Sequence, residues 1–222
     1  QSAFGDVYAW FGRLLLWPEE EIVQKMTWLD EKSKERLKNE LSDRIIAELS
    51  TCAEVLKDEE SSLIALDWLN GRRTPFANQE LKAAIAGLTL GSDAPRIFKA
   101  LVEATALGSK MINERFMSEG VRIDGVIAIG GVAKKNPYVM QIVADVLNMP
   151  IRVASSDHTV ALGAAMAASV AAGIHPDIPS AQEAMGGGFE KEYTPDPVRA
   201  KKYEALYRKY KKLGTFIEKE MT

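Results

Sequence analysis

The sequence predicts an α/β fold, with a mixed or mostly parallel sheet and flanking helices. In the second half of the chain, short aliphatic runs alternate with longer segments of helical periodicity. The order is strand 126–129, helix 137–147, strand 151–154 and helix 161–172. Such alternation is typical of sheets with parallel strands, and ligands then favour the carboxyl ends of those strands.

Four further segments have helical periodicity, at residues 5–17, 19–56, 94–117 and 197–221. Pro18, followed by three glutamates, predicts the start of the second helix, because acidic side chains complement the positive end of the helix dipole. The last helix has a stripe of apolar and aromatic residues that we expect to face inward: Tyr203, Leu206, Tyr207, Tyr210, Leu213 and Ile217. Segment 61–75 predicts a strand that ends in a loop at Asn70-Gly71.

The composition predicts a globular protein without a nucleic-acid or membrane partner. Hydrophobic residues make up 46% of the 222, and the net charge is -3, whereas nucleic-acid-binding domains usually carry a basic patch. No apolar run approaches the ~20 residues that span a bilayer. Cys52 is the single cysteine, and His158 and His175 are the two histidines. We therefore expect a reducing, cytoplasmic setting and no metal site of the zinc type.

The paired glycines Gly130 and Gly131 follow the strand at 126–129. Because glycine lacks a Cβ atom, the backbone there can approach a flat or phosphorylated ligand, or adopt a positive φ. Asn136-Pro137 then predicts a helix start whose free N–H groups point toward the glycine loop. A nucleotide site and a plain strand-to-helix turn both fit this pattern. The P-loop and G-x-G-x-x-G patterns are absent, so a nucleotide would be held through backbone and shape.

Two other groups of polar residues fit either a functional or a structural interpretation. Asp157 and His158 could be mistaken for an acid/base pair, but a helix-capping aspartate and a surface histidine fit better, since no third orienting group is nearby in the sequence. Asp67 with Arg72 and Arg73 fits either a phosphate site or structural pairing in the loop.

Two further positions have the same ambiguity. Asp6 fits either a contact to Mg²⁺ or the cap of the first helix, and capping is the favoured interpretation. Gly163 lies in the small-residue helix TVALGAAMAASVAAG, where close packing against another element is favoured over a nucleotide contact.

Four stretches, spread from residue 1 to residue 214, carry a family resemblance. They are QSAFGDVYAWF (1–11), ALDWLNGRRTPFAN (65–78), GVIAIGGVAKKNPYVMQIVADVLNMPIRV (125–153) and MGGGFEKEYTPDPVRAKKYEALYRKYKKLG (185–214), with HTVALGAAMAA (158–168) between the last two. They resemble the FGGY carbohydrate kinases of the actin-like ATPase superfamily, and within that family the L-ribulokinase branch. The resemblance implies an actin-like, RNase H-like lobe whose glycine loop holds ATP across a cleft from a sugar-binding lobe.

The resemblance also implies a set of nucleotide-binding residues. Carried over by position, they are Gly130, Gly131, Val132, Lys135, Asn136 and Gly5. The first three would pass along the adenine and ribose, the next two would contact the base or its ribose, and Gly5 would lie near the phosphates of ATP, which binds with Mg²⁺. Ile129 and Val132 depart from the family pattern, since many polyol kinases of the family have Asp and Ala there.

The resemblance further implies how the chain is organised. Residues 1–222 would form a C-terminal nucleotide-binding lobe, in which a helical segment, 1–60, and a C-terminal helix, 190–222, pack on the α/β core. The catalytic base and most contacts to the pentulose belong to the family's N-terminal lobe, which nothing in this sequence matches. We therefore expect a fragment without catalytic residues or kinase activity of its own, from a kinase of L-ribulose in arabinose catabolism. A homo-oligomer is left open.

Three alternatives remain at this stage. Within the family, the parent protein could phosphorylate another ketose or polyol, of the xylulose or glycerol type. From another class, a non-catalytic actin-like domain could bind a nucleotide without moving a phosphoryl group. An oxidoreductase of the Rossmann type is disfavoured by the missing glycine fingerprint.

Overall fold

The computed structural model describes residues 4–56 and 63–221. The helices are α1 (Phe4–Glu21), α2 (Glu31–Glu54), α3 (Ala94–Ser118), α4 (Gly131–Lys135), α5 (Pro137–Leu147), α6 (Thr159–Ala171), α7 (Ile178–Met185) and α8 (Pro197–Glu220). The strands are β1 (Ile64–Ala65), β2 (Ile85–Ala86), β3 (Val126–Ala128), β4 (Ile151–Ala154) and β5 (Phe189–Tyr193), and a 3-10 turn covers Val23–Lys25.

The strands β3, β4 and β5 form a mixed sheet in that order. β3 runs parallel to β4, with Val126 opposite Ile151, and β5 runs antiparallel to β4, with Tyr193 opposite Ile151. The predicted α/β class, with a mixed sheet and flanking helices, is therefore confirmed. β5 was missed because its sequence, FEKEY, is mostly charged and follows three glycines.

Helices α3 and α5 pack against each other and share a hydrophobic core with the inward side chains of β3 and β4. α5 begins where it was predicted, because Pro137 suits the first helical position and Asn136 is the N-cap. The Asn136 Oδ1 atom accepts a hydrogen bond from the Val139 N–H at 3.1 Å. This cap fixes the start of α5 shortly after the glycine pair in the sequence.

The predicted boundary between the first two helices is wrong. α1 continues through Pro18 to Glu21, and α2 begins only at Glu31. The N-cap of α2 is Asp30, whose carboxylate accepts a hydrogen bond from the Ser33 N–H at 3.0 Å. A proline inside a helix removes one intrahelical hydrogen bond, yet α1 includes Pro18 and ends three residues after it. The predicted helix end at residue 56 extends the observed end, Glu54, by two residues, and residues 57–60 lie outside the described part.

The strand predicted in segment 61–75, before the loop at Asn70-Gly71, is much shorter in the structure. β1 pairs antiparallel with β2 over two residues on each side, and Ser61 and Ser62 lie outside the described residues. The turn at Asn70-Gly71 is confirmed: Gly71 has φ 78°, and a Cβ atom there would lie 2.5 Å from the Gln79 Cα atom. α8 packs beside β1 and α5, and the predicted inward stripe of α8 is buried or partly buried in the core.

The small-residue helix α6 packs mainly against α7. Within the described chain, Met166 is its one buried residue, and no heavy atom comes within 4 Å of a Cβ atom built on Gly163. The interpretation of Gly163 as a close-packing position is therefore wrong for the described residues. Across residues 4–56 and 63–221, every helix is too short or too polar to cross a bilayer.

Candidate functional site

The glycine pair forms a sharp turn at the carboxyl end of β3. Gly130 has φ 88° and ψ -179°, a conformation that side-chain-bearing residues rarely adopt. Gly131 is the first residue of α4. Among the described residues, no heavy atom lies within 4 Å of a Cβ atom built on either glycine. The turn therefore presents bare backbone to open space at the edge where α/β folds place their ligands.

An apolar groove of about 420 Å³ lies beside β3 and ends at the glycine turn. Its walls come from the start of α1, from α3, from β3 and from α5, and they include Phe4, Ile112, Val126, Gly131 and Val132. The volume lies within the range of small-molecule pockets, roughly 300–1,000 Å³. The groove gives the glycine turn an apolar flank that a flat heterocycle could contact.

The start of α1 lies against the glycine turn. A Cβ atom built on Gly5 would be 4.0 Å from the Val132 Cγ2 atom, so the structure brings Gly5 beside the first turn of α4. Gly5, Gly130, Gly131 and Val132, four of the six predicted nucleotide-binding residues, thus lie in one neighbourhood. Asp6 is exposed in the first turn of α1 and does not precede that helix.

Of the other two predicted residues, Asn136 is already engaged in hydrogen bonds and Lys135 is exposed. Asn136 caps α5 through its Oδ1 atom, and its Nδ2 atom donates a hydrogen bond to Ser50 Oγ at 2.8 Å. Its side chain thus joins α2 to α5. Lys135 is exposed at the end of α4. At the start of α5, three of the first four positions offer no free N–H group, because Pro137 has none and Asn136 accepts those of Val139 and Met140.

Lys134, which the sequence did not single out, makes the most contacts near the turn. Its Nζ atom donates to the backbone oxygen of Ser155 and to Asp157 Oδ1, both at 2.6 Å, and lies 3.5 Å from Glu190 Oε2. The hydrogen bond from Lys134 lowers the pKa of the Asp157 carboxyl, and the same bond raises the pKa of Lys134. These partners lie 21, 23 and 56 residues further along the chain, so no local spacing could reveal them.

The two ambiguous polar groups turn out to be structural. Asp157 is not the cap of α6: His158 occupies the N-cap position without a side-chain hydrogen bond, and Asp157 pairs with Lys134 instead. Asp67 is fully buried and accepts a hydrogen bond from the Tyr210 hydroxyl at 2.9 Å. Arg72 lies over the Trp68 ring and pairs with Glu218 on α8 at 2.5 Å.

The described residues do not form a metal site. Across residues 4–56 and 63–221, no three side chains of His, Cys, Asp or Glu come together in a way that could hold a metal ion. The glycine turn has no carboxylate of its own, and Asp157 and Glu190 are ion-paired with Lys134. This donor set therefore does not fit a resident Mg²⁺ ion.

Comparison with known proteins identifies the class to which this fold belongs. The chain resembles the xylulose kinase from Rhodospirillum rubrum with a TM-score of 0.71 at 23% identity, covering 96% of this chain and 38% of that one. It resembles the gluconate kinase from Lactobacillus acidophilus with a TM-score of 0.72 at 20% identity, covering 97% and 38%. Likeness at this level of identity shows the fold alone, which is that of an actin-like ATPase lobe.

The sequence comparisons then identify the family. The profile described as the FGGY family of carbohydrate kinases, C-terminal domain, matches residues 1–172, so the chain belongs to this family. It is 44% identical over 218 residues to a ribulokinase from Vibrio parahaemolyticus, and 39% identical over 221 residues to one from Halalkalibacterium halodurans. Each alignment covers 98% of this chain but only 38% and 37% of the relative. The chain thus spans little more than a third of their length.

Proposed function

We propose that this chain is the ATP-binding lobe of an ATP-dependent carbohydrate kinase of the L-ribulokinase type. The whole protein would transfer the γ-phosphoryl group of ATP to the terminal hydroxyl of L-ribulose and form L-ribulose 5-phosphate. One observation carries the proposal: in a chain that belongs to the FGGY family, the Gly130-Gly131 turn exposes bare backbone at the carboxyl end of β3. Backbone without side chains allows close approach of a nucleotide.

The adenosine of ATP would lie over the glycine turn. Gly130, Gly131 and Val132 would pass along the base and ribose, with the apolar groove as the flank of the adenine. Gly5, beside Val132, would lie on the phosphate side. Lys135, exposed at the end of α4, would contact the ribose or base. Asn136 would contribute through its position, since both ends of its amide are already hydrogen-bonded.

The domain organisation follows from this role. Residues 1–222 would be the C-terminal lobe, with the helical segment 1–60 and the C-terminal helix 190–222 packed on the α/β core. Phosphoryl transfer depends on positioning the nucleophile and on stabilising charge at the transferred group. The base that accepts the hydroxyl proton, and most contacts to the pentulose, would come from the other lobe. This chain would supply no catalytic residue and would be inactive alone.

The setting of the reaction belongs to the same proposal. Mg²⁺ would arrive with the phosphates of ATP and be held outside the described residues, which do not fit it. The protein would act in the cytoplasm, in arabinose catabolism, without a nucleic-acid partner, consistent with a net charge of -3. A homo-oligomer is compatible with this assignment. A second candidate, a kinase of another ketose such as xylulose, is favoured by the structural likeness to the xylulose kinase from R. rubrum.

A titration of Mg²⁺–ATP by calorimetry tests the site. Gly131→Trp should abolish binding, because the indole would fill the space over the turn. Gly131→Ala is the matched control: its Cβ atom meets no described heavy atom within 4 Å, so the fold should be unaffected. The titration uses the full-length protein that contains this chain, because half a cleft would hold ATP poorly.

A panel of sugars tests the substrate. The full-length wild type should phosphorylate L-ribulose with the highest kcat/KM, and preference for xylulose would select the second candidate. ATP binding that is equal in wild type and Gly131→Trp would contradict the proposed site. A full-length protein that binds ATP but phosphorylates no sugar would contradict the proposed kinase activity.

A further inference from the structure

Lys134 connects the glycine turn to the neighbouring strand. Its main-chain N–H donates to the Gly130 carbonyl oxygen at 3.3 Å, within the first turn of α4. Its side chain, 18% exposed, extends to Ser155 and Asp157, which follow β4, and to Glu190 in β5. Lys134 is therefore bonded at one end to the turn after β3 and at the other to the segment after β4.

The glycine turn needs such an anchor. Gly130 and Gly131 have no side chains, and no described heavy atom lies within 4 Å of the positions that their Cβ atoms would take. The two glycines themselves therefore make no side-chain packing contacts that would hold the turn in place. β3 and β4 are parallel neighbours, so their carboxyl ends lie side by side. A contact between the segments that follow β3 and β4 would therefore fix the orientation of the turn.

We propose that Lys134 is a positioning residue for nucleotide binding, which holds the Gly130-Gly131 turn in its binding geometry through Ser155, Asp157 and Glu190. The inference rests on the proposed function, since it assigns a role at the same site. A turn that is already ordered binds its ligand without the entropy cost of being fixed at that moment.

Charge provides a second reason for a cation at this place. Asp157 and Glu190 are two carboxylates on the segments that Lys134 joins to the turn over which the nucleotide would lie. With Lys134 between them, their negative charge is largely compensated. Without it, both would repel an anionic ligand, and they would also repel each other. Loss of the ammonium group should therefore weaken ATP binding both by loosening the turn and by leaving these carboxylates uncompensated.

The test uses the full-length protein that contains this chain. Lys134→Met keeps much of the stem but removes the charge and the donors, Lys134→Arg keeps the charge, and Lys191→Met removes an exposed charge in β5, next to Glu190. Two readouts are needed: kcat and KM for ATP with the sugar substrate, and hydrogen exchange of the backbone amides at 130–133. Exchange at α5 serves as the control for the overall fold.

We expect Lys134→Met to raise KM for ATP on the order of tenfold, as the loss of a set of charge-assisted hydrogen bonds predicts. The value of kcat should change less than about twofold, because a lost ground-state contact affects mainly KM. Exchange at 130–133 should accelerate while exchange at α5 is unchanged. Lys134→Arg should recover most of the affinity, and Lys191→Met should behave like wild type.

Two failures can be told apart. A wild-type protein without ATP-dependent phosphorylation would overturn the proposed function and this inference with it. An active wild type in which Lys134→Met leaves both KM for ATP and exchange at 130–133 unchanged would overturn this inference alone. Equal effects of Lys134→Met and Lys191→Met on KM would also overturn it, because they would indicate long-range charge and not the bonds to Ser155 and Asp157.

Discussion

The Tyr210 hydroxyl donates a hydrogen bond to Asp67 Oδ1 at 2.9 Å, joining α8 to the segment after β1 across 143 residues of sequence. Asp67 is fully buried, and Tyr210 is 1% exposed. A buried carboxylate that loses a donor pays part of its desolvation cost, so this bond should contribute strongly to the attachment of α8.

Tyr210→Phe removes this donor and also the hydroxyl oxygen that accepts a hydrogen bond from the buried Trp68 indole N–H. The variant should lower the free energy of unfolding by about 1.5–3 kcal/mol, the usual range for a hydrogen bond to a charged group. Urea denaturation measures the change. Tyr207→Phe is the matched control, because its acceptor, Glu114, is only partly buried and water can replace the phenol there. Equal losses in the two variants would contradict the role of burial at Asp67.

Gly214→Ala should destabilise the chain even though it lies inside a helix. A Cβ atom at this position would lie 3.0 Å from the Trp68 Cη2 atom, and Trp68 is fully buried. The overpacking should cost about 1–3 kcal/mol. Gly163→Ala in α6 is the control: its Cβ atom meets open space, so the variant should gain up to ~1 kcal/mol of helix propensity. Thermal unfolding of both should show shifts of opposite sign.

Five buried tyrosines should remain neutral in alkaline solution until the chain unfolds. Burial raises the pKa of each phenol above its ordinary value of about 10: Tyr8, Tyr138, Tyr203, Tyr207 and Tyr210. Below pH 10 both states keep these phenols protonated. As the pH rises past 10, the unfolded chain releases protons that the folded chain retains, so stability falls. Phenolate absorbance should therefore increase together with the loss of circular dichroism.

The alkaline titration has an internal control. In denaturant all six tyrosines of the sequence should titrate in their ordinary range. Five or six phenolates that form near pH 10 with the circular dichroism unchanged would contradict the burial of these side chains.

Asn136→Ala should lower stability by about 1 kcal/mol, because the cap of α5 is lost. Asn136→Asp keeps the oxygen that accepts from Val139 but cannot donate to Ser50, so its loss should be smaller. A double-mutant cycle with Ser50→Ala in urea separates the two contacts. If Asn136→Asp were as destabilising as Asn136→Ala, the cap itself would contribute nothing.

Local sequence patterns predicted most of the helices and turns, because neighbouring residues decide where such elements begin and end. Pro137 and Asn136 set the start of α5, and Asn70-Gly71 set a turn, through conformational preferences that act over a few positions. The errors occurred where tertiary contacts override these preferences. α1 continued through Pro18, and β5 formed from charged residues because it pairs along β4.

The candidate site was predictable only in part. The glycine pair was visible because positive φ and close approach both favour glycine. Lys134 was not, since its partners, Ser155, Asp157 and Glu190, are distant in sequence and are brought to it by the pairing of β3 with β4 and of β4 with β5. The engagement of Asn136 with Ser50 was equally hidden, as it spans 86 residues. The glycine pair thus drew attention to the turn, whereas only the three-dimensional arrangement shows what anchors it.

β3 stands at the rim of its sheet, with β4 as its one hydrogen-bonded neighbour in the described chain. The aliphatic side chains of Ile127 and Ile129 are half exposed there, at 55% and 50%. A bare backbone rim with such neighbours is a template for another strand. In a purified sample of this domain, pairing between copies at β3 should therefore limit the protein concentration that stays in solution. Its shelf life will depend on how concentrated it is stored more than on how firmly its core is packed.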